Sequence, residues 1–166
     1  MDTTLSKPLW MRFRVADNPA DEVLSHFGIR TPPVPVRGIA HHLGVEVLDV
    51  NEAAAGVLDA RDMERVVIHV RDVDPEVRKR FTIAHELGHL LLHRLGVRFR
   101  DLVVGSNTKE ERQANVFAAN LLMPEWMFRP AFRWFDGDMS AIAEFFQVSK
   151  PAAEIRFMEL YGPTGR

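Results

Sequence analysis

The chain has 166 residues, of which 46% are hydrophobic, so it can bury the core of one domain with at most a small helical appendage. Its formal net charge of −2 provides no basic field for nonspecific phosphate binding, so nucleic acid is not the first partner we expect. The absence of cysteine excludes disulfides, thiolate metal ligands and cysteine nucleophiles, which leaves His, Asp and Glu as the strong metal ligands. No stretch has the apolar length of a signal peptide or membrane span, so we expect a cytoplasmic protein that is not exported.

Two short helices are predicted near the N-terminus. Asn18 can cap a helix that has proline at its first position and ends at Gly28. The prolines of TPPVPV at 31–36 predict a stiff, extended connector, because each proline disfavours helix in the residue before it. The segment VRGIAHHLG at 36–44 then predicts a second short helix.

Strands are predicted next. VEVLDV at 45–50 and RVVIHV at 65–70 have the length and the branched residues of strands, and GVLDA at 56–60 is a weaker third. Together they suggest a small antiparallel sheet or meander.

Helices dominate the second half. Pro75 opens a long helix that should run to about Leu95, and KEERQANVFAANLLM forms a second one that Pro124 stops. A loop of uncertain shape, GVRFRDLVVGSNT, joins them, and the remainder from Glu125 to Tyr161 predicts short helices.

A pair of histidines four residues apart lies in the first long helix, within RFTIAHELGHLLLH at 80–93. Residues four apart share a helix face with about 6 Å between their Cβ atoms, so His85 and His89 can both reach one ion about 2 Å from each nitrogen. Glu86 is rotated about 100° from His85 and can instead take a proton from metal-bound water. One helical turn is therefore predicted to supply two ligands and a general base.

An ordinary core helix, with histidines satisfied by hydrogen bonds, is the alternative interpretation. Gly88 costs about 1 kcal/mol relative to alanine inside a helix, and close approach of another segment would explain its presence. The surrounding residues are uncharged, as expected for a buried helix below a cleft: Thr82, Ile83, Ala84, Leu87, Leu90 and Leu91. The spacing of the histidines around the glutamate favours a metal site.

A catalytic zinc site needs a third protein ligand. His93 lies about 12 Å along a continuous helix from His85, too far to share one ion with it. In the pattern HExxHxxGxxH, a turn at the glycine brings a third histidine back to the metal. Here Leu92 and Leu95 occupy the glycine and histidine positions, so this arrangement is absent. We therefore expect His93 to be structural or to support a ligand.

The second long helix offers Glu110 and Glu111. Its predicted core stripe consists of Ala114, Phe117, Ala118, Leu121 and Leu122. Glu111 and Asn115 fall on the same side as Ala114, whereas Glu110 points about 100° away. We predict Glu111 as the third ligand and Asn115 as a hydrogen-bond partner of a ligand histidine. Periodicity alone leaves open the alternative that KEER is a solvated helix start.

At this point the sequence resembles the ImmA/IrrE metallopeptidases, which have gluzincin-like zinc sites. RFTIAHELGHLLLH is similar to their zinc helix and ERQANVFAANLLMP to their second signature, and the resemblance covers most of residues 20 to 162. It implies Zn²⁺ held by His85, His89 and Glu111, with Glu86 as general base. Asn115 stands where thermolysin-like enzymes have a supporting acid.

The resemblance also implies a substrate. The better-understood relatives act on helix-turn-helix transcriptional repressors after a stress or mobile-element signal. About 18 residues precede the first predicted helix, which is too few for a fused DNA-binding domain. The repressor is therefore expected to be a separate protein, encoded nearby. In the second signature, the residue before the alanine is commonly acidic, but here it is Gln113. Gln113 is therefore a poor candidate for an acidic ligand, which further favours Glu111.

The expected fold is α+β: a small antiparallel sheet packed on the zincin-type helix and the Glu-bearing helix, followed by a C-terminal helical unit. The expected divisions are an N-terminal extension at 1–18, a zincin-like metallopeptidase domain at 19–124 and a helical subdomain at 125–166. Within the fold, RVVIHV is the expected edge strand for an extended substrate. His69, His93 and Tyr161 are unranked candidates for a second oxyanion donor.

Two alternative functions stay open. AIAEFFQVSKPAAEIRF is similar to a helix-turn-helix, but Lys150 and Arg156 in its second helix are offset by Glu154 and Glu159, without the basic excess of a groove-reading element. We therefore favour a structural unit, with repressor docking as its functional option, over direct nucleic-acid binding. A metal-holding regulator that binds its partner without cutting is the other alternative.

Overall fold

The computed structural model of the chain describes residues 8–12, 17–51, 57–62, 65–93 and 108–163. The elements within these ranges are, in chain order, α1 (Leu9–Arg12), α2 (Pro19–His26), α3 (Val36–Leu43), β1 (Val45–Val50), β2 (Val57–Asp62), β3 (Arg65–Arg71), α4 (Glu76–His93), α5 (Lys109–Leu122), α6 (Glu125–Trp134), α7 (Met139–Phe146) and α8 (Lys150–Tyr161). The α+β fold class is confirmed. None of these helices is long and apolar enough to cross a membrane.

Helices α2 and α3 begin where the sequence predicts, although α2 ends at His26, two residues before the predicted Gly28, and α1 was not predicted. The side chain of Asn18 accepts a hydrogen bond from the Asp21 amide, and Pro19 occupies the first turn of α2. Gly44 ends α3 in the left-handed conformation, with φ of 82°. The loop predicted between α4 and α5 lies largely outside the described residues.

The sheet differs from the antiparallel meander expected from sequence. Its strand order is β1-β3-β2, in which β1 pairs with β3 in parallel and β2 pairs with β3 antiparallel. RVVIHV was the expected edge strand, and this expectation is wrong because β3 occupies the centre. Three successive residues of β3 are buried, which is typical of a central strand covered on both faces: Val66, Val67 and Ile68. Among the described strands, the edges of the sheet are β1 and β2.

Helices α4 and α5 pack closely at Gly88. A Cβ atom added to this glycine would lie 3.0 Å from Phe117 Cδ1 and 3.1 Å from Ala114 Cα. The close approach expected from a glycine inside a helix is therefore confirmed. The predicted core stripe of α5 is also confirmed, because all five of its members are buried: Ala114, Phe117, Ala118, Leu121 and Leu122.

The C-terminal helices share one hydrophobic core with α4 and α5. Phe128 of α6 and Phe146 of α7 are fully buried and stack at 5.8 Å between ring centroids. Helix α7 ends at Gln147 in the left-handed conformation, and the Ser149 side chain caps α8, which gives the helix, turn and helix expected from sequence. Trp126 is half-exposed, whereas Met127 and Phe128 beside it are buried.

Two buried arginines connect the C-terminal helices to the rest of the fold through hydrogen bonds. Arg80 of α4 donates one hydrogen bond to the carbonyl of Gln147 and another, 2.9 Å long, to the carbonyl of Val34. Arg156 of α8 donates a 2.9 Å hydrogen bond to the carbonyl of Met123, where α5 ends. Each guanidinium therefore joins elements that are far apart in sequence.

Candidate metal centre

The residues predicted to form a metal site lie on two helices that pack against each other. His85, Glu86 and His89 belong to α4, and Glu111 lies in the first turn of α5. Thr108 caps α5, because its hydroxyl accepts a hydrogen bond from the Glu111 amide at 3.2 Å. This cap determines where the helix begins and therefore the direction in which Glu111 projects.

The side-chain atoms of His85, His89 and Glu111 converge. His85 Nε2 lies 3.2 Å from Glu111 Oε2, and His89 Nε2 lies 3.0 Å from Glu111 Oε1. The two Nε2 atoms are 3.1 Å apart. One potential ligand atom from each residue falls within 4.8 Å of the others, and the described residues contain no other such group of three or more His, Cys, Asp or Glu.

The electrostatic environment keeps His89 neutral. Burial, followed by the neighbouring His85, lowers the pKa of His89 to about 4 from an ordinary value of 6.5. A metal-binding imidazole must present a free lone pair, which a protonated ring cannot do. His89 is therefore in the protonation state for metal binding throughout the neutral pH range.

The amide of Asn115 contacts the ring of His85. Asn115 Oδ1 lies 2.9 Å from His85 Nδ1, one helical turn after Glu111. Because an amide oxygen only accepts hydrogen bonds, His85 Nδ1 must carry the proton. The lone pair of this imidazole then resides on Nε2, the nitrogen that faces Glu111 and His89.

Glu86 lies beside the group but in a different environment. Its side chain is buried, with 6% of the residue exposed. Burial, followed by the charge of Glu111, raises the pKa of Glu86 to about 8 from an ordinary value of 4.5. A carboxyl group poised near neutral pH is suited to accept and release a proton during catalysis.

These residues fit a divalent metal ion. The donor set is two imidazole nitrogens and one carboxylate, which is the composition of catalytic zinc sites that leave a fourth position for water or substrate. The Nε2 atoms of His85 and His89 both lie within 3.2 Å of the Glu111 carboxylate, so the three side chains can present donor atoms to one ion. The chemistry of the donors and the tautomer set by Asn115 are therefore consistent with one another.

Three further residues singled out from sequence have different surroundings. The His93 ring lies 5.4 Å from that of His89, and its buried Nε2 has no hydrogen-bond partner among the described residues. Tyr161 packs against Phe157 at the C-terminal end, where Arg129 lies over its ring. His69 is on the central strand β3, opposite Leu48. Among the described residues, His93 therefore neighbours the His-His-Glu group through His89, whereas no contact links His69 or Tyr161 to it.

Sequence reasoning missed two residues that shape the site. Phe81 lies one turn before His85 and stacks on its ring, with centroids 6.3 Å apart and planes 29° apart. Its i, i+4 spacing from the histidine was a usable signal. Thr108 was the other, because threonine three residues before Glu111 has the spacing of a capping box.

The α+β fold and the His-His-Glu group define a candidate metalloprotein. The profile of the peptidase M78 family, described as the IrrE N-terminal-like domain, matches residues 40–158 of the sequence. The chain belongs to this family of metallopeptidases, which confirms the resemblance to ImmA/IrrE proteins inferred from the two signature motifs.

Two individual proteins are similar to this chain. The metallopeptidase ImmA of Bacillus subtilis is 25% identical over 115 residues, which cover 68% of this chain and 67% of the relative. A solved structure of a Mycobacterium tuberculosis transcriptional regulator aligns with a TM-score of 0.65 and 20% identity, and the alignment covers 95% of this chain. The chain spans about half of that regulator, 52% of its length, and the similarity concerns the fold.

Proposed function

We propose that this protein is a zinc-dependent endopeptidase that hydrolyses a peptide bond in a specific protein substrate, a helix-turn-helix transcriptional repressor encoded nearby. The observation that carries the proposal is the convergence of His85, His89 and Glu111 within 4.8 Å in a chain of a metallopeptidase family. The biological setting proposed for the cleavage is a stress response or the regulation of a mobile element.

In this proposal His85, His89 and Glu111 hold the metal ion. When bound, zinc would supply Lewis acidity that polarises water and the scissile carbonyl and favours the ionised form of nearby Glu86. The Glu86 carboxylate accepts the proton of the attacking water and delivers it to the nitrogen of the leaving amine. Asn115 keeps the proton of His85 on Nδ1 and so orients the ring.

The substrate would bind as an extended segment along an edge of the sheet. Because β3 is central, the available edges belong to β1 and β2. Unpaired backbone groups at either edge can form hydrogen bonds with an extended peptide. We propose further that residues 19–124 form the metallopeptidase domain and that residues 125–166 form a helical subdomain packed on it, which the shared core supports.

The test begins with the metal content of the purified protein, measured by mass spectrometry. The protein is then incubated with the repressor encoded beside its gene, and the products are examined for a single cut. Glu86→Gln should retain zinc and its fold but lose cleavage, because the amide cannot accept the proton. Full activity of Glu86→Gln would refute the assigned mechanism.

The same experiment separates this function from a regulator that binds without cutting. If the wild-type protein, with zinc fully bound, binds the repressor but does not cleave it, the endopeptidase proposal fails. A cut that requires both metal and Glu86 supports it. Glu111→Gln is a second informative variant, which should lower zinc affinity rather than leave it intact.

A further inference from the structure

Within the described residues, the candidate metal centre is more exposed to solvent on one side than on the other. The His89 side chain is 3% exposed, and Glu86 is 6% exposed. His85 and Glu111 are more open, with 15% and 24% of their side chains exposed. Asn115, which contacts the ring of His85, is itself exposed. A substrate therefore reaches the centre over the side formed by His85, Glu111 and Asn115.

The amide of Asn115 has one end in use and one end available. Its oxygen, Oδ1, accepts the hydrogen bond from His85 Nδ1 at 2.9 Å. The amide nitrogen occupies the other corner of the same planar group and carries two N–H donors. No described residue accepts a hydrogen bond from this nitrogen. The side chain therefore presents unused donors at the open side of the centre.

The contact with His85 does not by itself require an asparagine. An ionised aspartate is an acceptor only, and it would accept the Nδ1 proton in a stronger, charge-assisted hydrogen bond. Asparagine differs in two respects, because it adds hydrogen-bond donors and it adds no negative charge beside Glu111. The first difference matters to a peptide, since each backbone carbonyl of a bound peptide needs a donor.

The position of this donor is fixed before any ligand arrives. Phe81 stacks on the ring of His85, with centroids 6.3 Å apart, and also packs against the hydrophobic core. The ring in turn holds the oxygen of Asn115. A donor held in this way loses little freedom when it forms a further hydrogen bond, which lowers the entropy cost of binding.

We propose that Asn115 binds the substrate directly, by donating a hydrogen bond from its amide nitrogen to a backbone carbonyl of the peptide. Asn115 contacts Nδ1 of His85, whereas Nε2, on the opposite side of the ring, faces the Glu111 carboxylate. The carbonyl therefore belongs to a residue near the scissile bond and not to the bond that is cut. The inference rests on the proposed function in taking the ligand to be a peptide substrate.

The test uses three probes that chelate the metal through the same hydroxamate group and carry the same charge. Acetohydroxamate has no further carbonyl. N-acetyl-triglycine hydroxamate extends backbone carbonyls on the N-terminal side of the chelating group, and the hydroxamate of malonyl-diglycinamide extends them on the C-terminal side. Each probe is titrated into the full chain loaded with Co²⁺, and binding is followed by visible absorption.

The proteins compared are the wild type, Asn115→Asp and Val116→Ala. Asn115→Asp keeps the acceptor for His85 and removes the donors, so it should retain the metal. Val116 is the matched control because it is the next residue of α5 and is 55% exposed. For each protein, the affinity of a peptide hydroxamate is divided by that of acetohydroxamate. This ratio removes the effect of the aspartate charge on the common chelating group.

We expect at least one peptide hydroxamate to bind the wild-type chain more tightly than acetohydroxamate. Asn115→Asp should lower that ratio about 3- to 10-fold, which corresponds to the loss of one hydrogen bond. Val116→Ala should leave it unchanged. The proposal is overturned if Asn115→Asp keeps the wild-type ratio for both peptides, or if neither peptide binds the wild type more tightly than acetohydroxamate.

Cleavage of the repressor provides an independent readout. Asn115→Asp should raise KM severalfold and change kcat less, because the contact lies away from the bond that is cut. If the ratio depends on Asn115 but no repressor is cleaved, the proposed function fails and the carbonyl-binding role stands. If the repressor is cleaved and the ratio does not depend on Asn115, the proposed function stands and this role is refuted.

Discussion

Asn115 Oδ1 lies 2.9 Å from His85 Nδ1 and joins the two helices that carry the His-His-Glu group. This single contact determines which nitrogen of His85 keeps its lone pair. It is also exposed, so its removal should affect the metal site more than the stability of the fold.

We predict that Asn115→Ala lowers zinc affinity about 10- to 100-fold, because the His85 ring loses its orientation and its tautomer is no longer selected. Affinity is measured by competition with a chelator of known affinity, and the melting temperature of the metal-free protein should change little. Asn115→Asp keeps an acceptor oxygen and should retain most of the affinity. Val116→Ala, at an exposed neighbouring position, is the control. Equal zinc affinity in Asn115→Ala and Val116→Ala would show that the contact has no such role.

Gly88→Ala should destabilise the protein although alanine is the better helix former. The added methyl group would lie 3.0 Å from Phe117 Cδ1 and 3.2 Å from the Ala114 carbonyl oxygen, so α5 must shift. We expect a loss of about 1–3 kcal/mol in the free energy of unfolding, measured by urea denaturation, together with weaker zinc binding as Glu111 moves.

Gly38 provides the matched comparison for this substitution. It lies inside α3, where an added Cβ meets only Pro35 Cβ at 3.8 Å, an ordinary contact. Gly38→Ala should therefore stabilise the protein by up to about 1 kcal/mol. The opposite signs of the two glycine substitutions test the packing directly, and a stabilising Gly88→Ala would contradict it.

The metal-free protein should lose stability through Glu86 as pH rises. Below pH 4.5 this carboxyl is protonated in both states, whereas between 4.5 and about 8 the unfolded chain ionises it and the folded protein keeps the proton. The folded state then binds more protons, so the free energy of unfolding falls as pH rises through this window. Above about pH 8 the penalty is complete.

Glu86→Gln lacks this penalty, so its stability advantage over the wild type should grow from near pH 4.5 to pH 8, by on the order of a few kcal/mol. The measurement is denaturation of both proteins in chelator at a series of pH values. His89, whose pKa is lowered to about 4, acts in the opposite direction between pH 4 and 6.5, but it is present in both proteins and cancels in the difference. If the difference in unfolding free energy between the two proteins does not change with pH, the pKa of Glu86 is not raised.

Arg80→Met should cost about 2–3 kcal/mol of unfolding free energy, because the carbonyls of Val34 and Gln147 lose a charged, buried donor. Arg65→Met is the control for the loss of an arginine. The Arg65 side chain is largely exposed and pairs with Glu46 at the surface, so its replacement should change stability by less than about 1 kcal/mol. Both effects are measured by urea denaturation. If the two substitutions lower the free energy of unfolding by similar amounts, the buried hydrogen bonds of Arg80 do not stabilise the fold as proposed.

Local spacing in the sequence was sufficient to select the His-His-Glu group that the structure brings together. His85, Glu86 and His89 follow from helical periodicity within one segment, and the core stripe of α5 selected Glu111 over Glu110 without any knowledge of the sheet. These relationships extend over one or two helical turns, where residue spacing translates directly into direction. The close approach of another segment to Gly88 was expected because a glycine inside a helix is costly, but only the structure shows that the segment is α5.

Only the tertiary structure decided what depends on contacts between distant segments. Strand propensity does not encode strand order, so the central place of β3 and its parallel pairing with β1 became visible only when all elements were packed together. The buried ties made by Arg80 and Arg156 span 46 and 33 residues of chain to Val34 and Met123, and a charged residue in a helix carries no sign of such partners. Sequence therefore determined which side chains can act at one helix face, and packing determined which elements hold that face in place.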